Sequence, residues 1–439
     1  MNLSDRKADY AFLCKNYPMS IEPFKVTDSD TAAVRFTLPA GCSLTSLYGT
    51  FPSWSDNIGS MDLCLYRWEG NYASTVAGQP VYRQTIRDYV DNGRLSFYIP
   101  DGTVKGGTYL CVFCRGSENP VGVYFCEAPD NGVSGVLTDI LGFKNGQPCD
   151  LSLKMYATLH TDGHVVKPDL PKTRLTPGKA HVIYINGQSN ASGQSIQAIY
   201  KTHADPAVYA QFEKGFPHIL IDVAVDGGSR ETDGFVPVAF GQGSSKERFG
   251  PELGLAQYLD EKYPGETFYV IKSSWSGAGL TLHFAEGQEV YEYIMKHTLT
   301  SLERLKDMGL DPEVFALCWM QGETDSWNVE QTVNYADRQE DLIRRITERI
   351  SPYVAPGGFA FLDAAISDAW PWTLNGIINI QKEICCSRSP NYYYLDTVTP
   401  GLGCEKENDD IAHYDSDDMI ALGRMFGEAV SHIIEENRL

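Results

Sequence analysis

The run Ala180-His181-Val182-Ile183-Tyr184-Ile185-Asn186, closed by Gly187-Gln188-Ser189-Asn190, decides the fold of the second half of the chain. Its β-branched and aromatic residues read as a strand buried on both faces, because apolar side chains fill most positions without alternation. Asn186-Gly187 then marks a turn. Four further apolar runs of strand length follow, at Phe268–Ser273, Val314–Met320, Phe359–Leu362 and Tyr393–Leu395. Helical stretches lie between and after them, at Glu252–Tyr263, Glu289–Lys306, Glu330–Ile350, Leu374–Cys385 and Ser416–Glu436. Strands alternating with helices predict parallel βαβ units, hence an α/β fold with a doubly wound sheet. Ligands of such sheets bind just beyond the strand C-termini, near the point where strand order reverses. That places Gly187–Asn190, Ser274–Gly279 and Gln321-Gly322-Glu323 at the expected site.

Upstream the pattern changes. Short apolar runs at Ala33–Leu38, Met61–Tyr66, Leu95–Ile99, Tyr109–Cys114 and Val121–Cys126 are separated by Gly-, Asp- and Pro-rich turns. This predicts an all-β sandwich or jelly-roll domain over residues 1–163. His164–Lys179, with three prolines and no apolar period, reads as a linker to an α/β domain over 180–439. The sandwich is a candidate carbohydrate-binding accessory domain, since Trp54, Tyr66, Trp68 and Tyr72 can stack on sugars; core packing is the competing role of such rings. The stretch Ser195–Glu247 reads as a long insertion between the first two strands, and loops of that length are usually functional. Trp275 and His283 are further residues that can line a pocket or simply pack.

The formal charge of −21 argues against nucleic acid and anionic membrane partners, which require basic surfaces. No apolar run reaches the ~18 residues of a membrane span. Met1–Lys15 lacks the apolar core of a secretory signal. The eleven cysteines are mostly scattered, and Cys111-Val112-Phe113-Cys114 has no second pair or histidines at zinc spacing. No metal or cofactor is expected. Reduced, buried cysteines favour a cytoplasmic setting, with an extracellular one expected if a signal has been removed.

Ser189 follows the first parallel strand, either as a nucleophile awaiting a base or as the cap of the next helix. Asp410-Ile411-Ala412-His413 supplies a carboxylate and an imidazole on one loop, an arrangement that orients the ring and stabilises its charged form. The last helix should fix that loop, with Ser416 as N-cap and Asp417 and Asp418 in the first turn. Gln321 can donate an amide hydrogen to an oxyanion, Gly277 a backbone N–H, and Glu323 reads as a buried brace. Phe249-Gly250-Pro251-Glu252 is helix-entry chemistry.

The order Gly-Gln-Ser-Asn, Arg248-Phe249-Gly250-Pro251-Glu252, Trp319-Met320-Gln321-Gly322-Glu323-Thr324-Asp325 and Asp410-x-x-His413 resembles the sialate O-acetylesterase and acetylxylan esterase group of flavodoxin-like SGNH hydrolases. The resemblance runs from about Ala180 to the C-terminus. It implies Ser189 as nucleophile, His413 as base and then acid, and Asp410 as its partner. The oxyanion hole it implies is Ser189 N–H, Gly277 and Gln321, supported by Gln188, Asn190, Gly250 and Glu323. The implied substrate is an O-acetylated carbohydrate such as a sialic acid or acetylated xylan. The block Ser274–Gly279 lacks the group's adjacent glycines, so Gly279 and Gly250 compete with Gly277. Two other readings share these residues: an SGNH lipase-type esterase for longer acyl chains, and a glycan-binding or adhesive protein with a vestigial hydrolase domain.

Overall fold

The computed structural model describes residues 7–15, 17, 22–129, 136–163, 165–369, 371–404 and 410–438. The chain divides into two units, Asp5–Val165 and Val166–Leu439.

Among the described residues, the first unit carries a nine-stranded and a three-stranded sheet, paired antiparallel throughout. The long strand Ala32–Phe51 runs through the larger sheet and pairs with Gly93–Tyr98, Lys105–Arg115, Thr138–Lys144 and Met155–Thr161. Val34, Phe36, Leu63 and Phe113 from the larger sheet share one core with Val123, Phe125 and Leu153 from the smaller. Trp68 and Tyr72 pack their rings on Phe143, whereas Trp54 keeps 44% of its surface exposed.

In the second unit six parallel strands form the centre: β1 Ala180–Gly187, β2 Phe216–Val225, β3 Phe268–Ser274, β4 Pro312–Met320, β5 Ala360–Ala364 and β6 Tyr392–Leu395. Their order across the sheet is β2-β3-β1-β4-β5-β6, so the winding direction reverses between β1 and β4. Gly187 stands opposite Met320, and Val225 opposite Ser274, so neighbouring strands end level with one another. The helices used below are α1 Ser189–Ser192, α2 Glu252–Lys262, α3 Glu289–Asp307, α4 Tyr335–Arg349, α5 Asn375–Cys386 and α6 Ser416–Arg438.

Three expectations need correction. Ser195–Glu247 is not a loop insertion, because it contains β2. Pro217, His218 and Asp222 break the apolar run there, and the buried Asp222 is met by Arg304 Nη1 at 2.7 Å, Thr232 Oγ1 at 3.3 Å and His297 Nε2 at 3.4 Å. The helix expected over Glu330–Ile350 is broken at Asn334, whose side-chain amide donates to Glu330 O at 2.9 Å. Ser416 is the first residue of α6, not its cap; the Asp415 carbonyl accepts Met419 N at 2.8 Å.

The segment read as a linker is strapped to the second unit. Lys167 Nζ donates to Tyr392 O at 2.7 Å, Thr173 N to Asn391 Oδ1 at 2.9 Å and Thr176 N to Glu313 Oε1 at 2.8 Å. His164 lies outside the described residues.

Helices α2 and α6 approach each other through glycine. A Cβ on Gly254 would lie 2.0 Å from Ile420 O, and one on Gly423 2.1 Å from Pro251 O. This contact sets the start of α2 against the helix that follows the His413 loop. The same corner holds a fully buried ion pair, Lys272 Nζ to Glu252 Oε2 at 2.6 Å. Lys272 also donates to Gln242 O at 2.9 Å, and Glu252 accepts Gly250 N at 2.8 Å. Removing one partner leaves an uncompensated charge in a dry site. Lys272→Met is therefore expected to cost ~3–5 kcal/mol, read as a lower urea midpoint at unchanged slope.

Candidate active site

The site begins where β1 and β4 end. Gly187 has φ +142°, and a Cβ there would sit 1.9 Å from Met320 O, so only glycine lets the two strand ends close. Gln188 N then donates to Met320 O at 2.9 Å. Gln188 occupies the cap position of α1 and Ser189 is its first residue, so Ser189 Oγ is not the capping group. Ser189 is buried, at 7% exposed. At the first helical position its backbone N–H has no intrahelical acceptor.

Asn190 joins three segments. Its Nδ2 donates to Glu323 Oε1 at 2.8 Å and its Oδ1 accepts Tyr414 N at 3.2 Å. One amide thus ties the Ser189 turn to the Gln-Gly-Glu turn and to the residue after His413. Ser195 Oγ adds a second tie to Tyr414 O at 2.9 Å. His413 Nδ1 meets Asp410 Oδ2 at 2.8 Å and Oδ1 at 3.0 Å. Partial burial raises the Asp410 carboxyl, but the hydrogen bond and charge of His413, together with the Ala412 amide and the Arg248 charge, hold it below the usual range. A carboxylate on Nδ1 leaves Nε2 as the ring nitrogen able to accept a proton.

The three competing glycines separate by what their amides do. Gly250 N is spent on Glu252 and Gly279 N on His283 Nδ1 at 3.0 Å. Gly277 has φ +73° and open space where a Cβ would stand, and its N–H has no partner among the described residues. Gly250 instead backs the Ser189 turn: a Cβ on it would lie 2.9 Å from Gly193 Cα. His283 supports the glycine loop, and Trp275 packs edge-on against Tyr293 at 5.4 Å.

Gln321 departs from the role expected of it. It is fully buried, and its Nε2 donates to Asp325 Oδ2 at 2.6 Å and Ala278 O at 3.0 Å, with Gln188 Oε1 at 3.3 Å. Its Oε1 accepts Tyr335 OH at 2.8 Å. Both amide hydrogens are taken, so Gln321 ties the floor of the site together instead of offering a free donor to an oxyanion. Asp325, its acceptor, is pushed up to about 6 by burial. Sequence reasoning missed this network, because nothing along the chain signals where a buried amide spends its hydrogens.

Ser189 and the Asp410–His413 pair thus stand on segments tied together through Asn190, beside the carboxyl ends of a parallel sheet. The profile of the family described as carbohydrate esterase, sialic acid-specific acetylesterase, matches residues 179–432, and the chain belongs to that family. Among solved structures it is similar to NanS (12% identity, 60% of this chain and 99% of that one, TM-score 0.45). A protein of Arabidopsis thaliana shares 16% identity over 58% of this chain and 98% of its own, at TM-score 0.43. A family two carbohydrate esterase from Cellvibrio japonicus shares 11% over 98% and 99%, at TM-score 0.33. No curated protein matches the sequence.

Glu323 gives a test of this architecture. Burial raises its carboxyl above the usual value, and among the described residues Oε2 has no partner. A raised folded pKa means that ionisation penalises the folded state as pH climbs above the unfolded value of about 4.3. Glu323→Gln keeps an oxygen for Asn190 without that penalty. Urea unfolding should show the two proteins converging near pH 4 and the wild type losing ground to the variant toward pH 8. A pH-independent difference would refute the raised carboxyl.

Proposed function

We propose that the second unit removes O-acetyl groups from a carbohydrate by two-step acyl transfer, with Ser189, His413 and Asp410 as its catalytic relay. The observation that carries this reading is the Asp410–His413 pair, at 2.8 Å, on the loop whose next residue is hydrogen-bonded to Asn190 beside Ser189. His413 Nε2 takes the Ser189 hydroxyl proton as Oγ attacks the acetyl carbonyl. The Ser189 and Gly277 amides face the developing oxyanion. The C–O bond to the sugar breaks, and His413 returns its proton to the sugar hydroxyl. Water then loses a proton to His413 and attacks the acetyl-serine; the acyl C–Oγ bond breaks, His413 returns the proton to Oγ, and acetate and free Ser189 result. The relay needs no further reactant, and Gln188, Asn190, Gly250 and Glu323 serve it by holding α1 in place.

A sugar substrate is supported by the family and by Trp327, three residues beyond Thr324, whose N–H approaches Gln188 Oε1 at 3.3 Å. Trp327 is 59% exposed, yet its ring is fixed by Nε1 donating to Pro371 O at 2.8 Å and by packing on Trp372 at 5.4 Å. A rigid indole with a free face is suited to stacking on a pyranose ring. We read the first unit as a β-sandwich accessory domain, on the strength of its two sheets sharing one core.

Ser189→Ala should lower kcat for para-nitrophenyl acetate by about 10⁴-fold or more at unchanged stability, and full activity would sink the reading. Comparing acetate release from O-acetylated sialic acids with that from acetylated xylan identifies the sugar. On the preferred glycan, Trp327→Ala should raise KM about tenfold, the equivalent of ~1.4 kcal/mol, while para-nitrophenyl acetate turnover is unchanged.

A further inference from the structure

Asp226 closes β2, in the stretch that the sequence reads as an insertion, and its backbone sits at φ +50°. A non-glycine residue held in the left-handed region persists only where the surroundings impose it, and such residues gather at functional sites. Its carboxylate explains the imposition. Oδ1 accepts Ser276 N at 2.5 Å and Ser192 Oγ at 3.2 Å, and Oδ2 accepts Ser276 Oγ at 3.1 Å. Ser192 is the last residue of α1, the turn that begins with Ser189, and Ser276 directly precedes Gly277. A single side chain therefore clamps the serine turn to the glycine loop.

The neighbours make that clamp stiff. Trp275 N donates to Gly187 O at 3.1 Å, and Gln194 Nε2 to Ser276 Oγ at 3.2 Å. The Trp275 ring lies where a side chain on Gly227 would be, 2.8 Å from its Cβ position. Ser192 Oγ is also within 2.9 Å of Ser274 Oγ at the end of β3. Burial pushes the Lys272 ammonium below its usual range, and Asp226, after Glu252, is among the charges that oppose that shift. With Ser276 N turned onto Asp226, the next amide in the loop, Gly277 N–H, is the one left without a partner among the described residues.

We infer that Asp226 is a positioning residue that fixes the Gly277 amide relative to Ser189, so that two N–H donors converge on one developing oxyanion. The inference rests on the reading of Ser189 as nucleophile and Gly277 as donor. Preorganised donors act on the transition state and hardly on the ground state, so their loss appears in kcat.

The test exploits the backbone. Asp226→Gly removes the carboxylate and its three hydrogen bonds but relieves the positive φ, which offsets part of the stability lost, and kinetics are read well below the variant's melting temperature. With para-nitrophenyl acetate its kcat should fall about 100-fold at nearly constant KM. Its affinity for methylboronic acid, which forms a tetrahedral anion on serine, should fall in parallel. Asp226→Asn keeps Oδ1 for Ser276 N and Ser192 Oγ and tolerates the left-handed backbone, so it should recover most of the lost kcat. An Asp226→Gly enzyme with wild-type kcat and boronate affinity overturns the inference, provided Ser189→Ala is inactive. Activity surviving in Ser189→Ala overturns both this and the serine reading on which it rests.

Discussion

The second unit depends on how closely β1 and β4 end beside each other. Met320 O lies where a Gly187 side chain would be and accepts the N–H of Gln188, so the chain leaving β1 turns directly against the chain leaving β4. Everything that matters to Ser189 follows from that closeness. Asn190 can reach Glu323, Gln188 can meet Gln321 and Thr324, and Tyr414 N can find Asn190 Oδ1. A side chain at position 187 would separate the ends and dissolve the set.

The glycine contacts at Gly193/Gly250 and Gly254/Gly423 extend the same logic outward. Each brings one backbone against another at distances that no Cβ permits, and each is backed by polar groups that would be costly if left alone. The Lys272–Glu252 pair is the clearest instance, since Glu252 also satisfies the Gly250 amide. Steric closeness and polar satisfaction reinforce each other: the glycine admits the neighbour, and the hydrogen bonds keep it there.

Much of this fold was legible because parallel strands buried on both faces leave uninterrupted apolar runs, as Ile183–Ile185 and Val314–Met320 do. β2 escaped because Asp222 sits within it, and Arg304 and His297 on α3, far along the chain, help make that carboxylate tolerable there. The candidate residues were legible as an order: a serine turn, a Gln-Gly-Glu turn and an Asp-x-x-His loop, each at a strand or helix end. Their hydrogen-bond partners were not. Gln321 looks like a free donor along the chain and is a saturated strut in space. Asp226 carries no signal along the chain, since a clamp between α1 and the loop after β3 exists only once β2 lies in the sheet.

The unequal distribution of these constraints bears on how such a scaffold diversifies. Around Ser189 nearly every atom has a fixed correspondent, so drift there is met by loss of the fold before it yields a new specificity. The edge is different: Trp327 is 59% exposed and belongs to a short connection rather than to the sheet. Lineages built on this frame would acquire new substrates by exchanging such edge segments, while the interior is inherited as a single block.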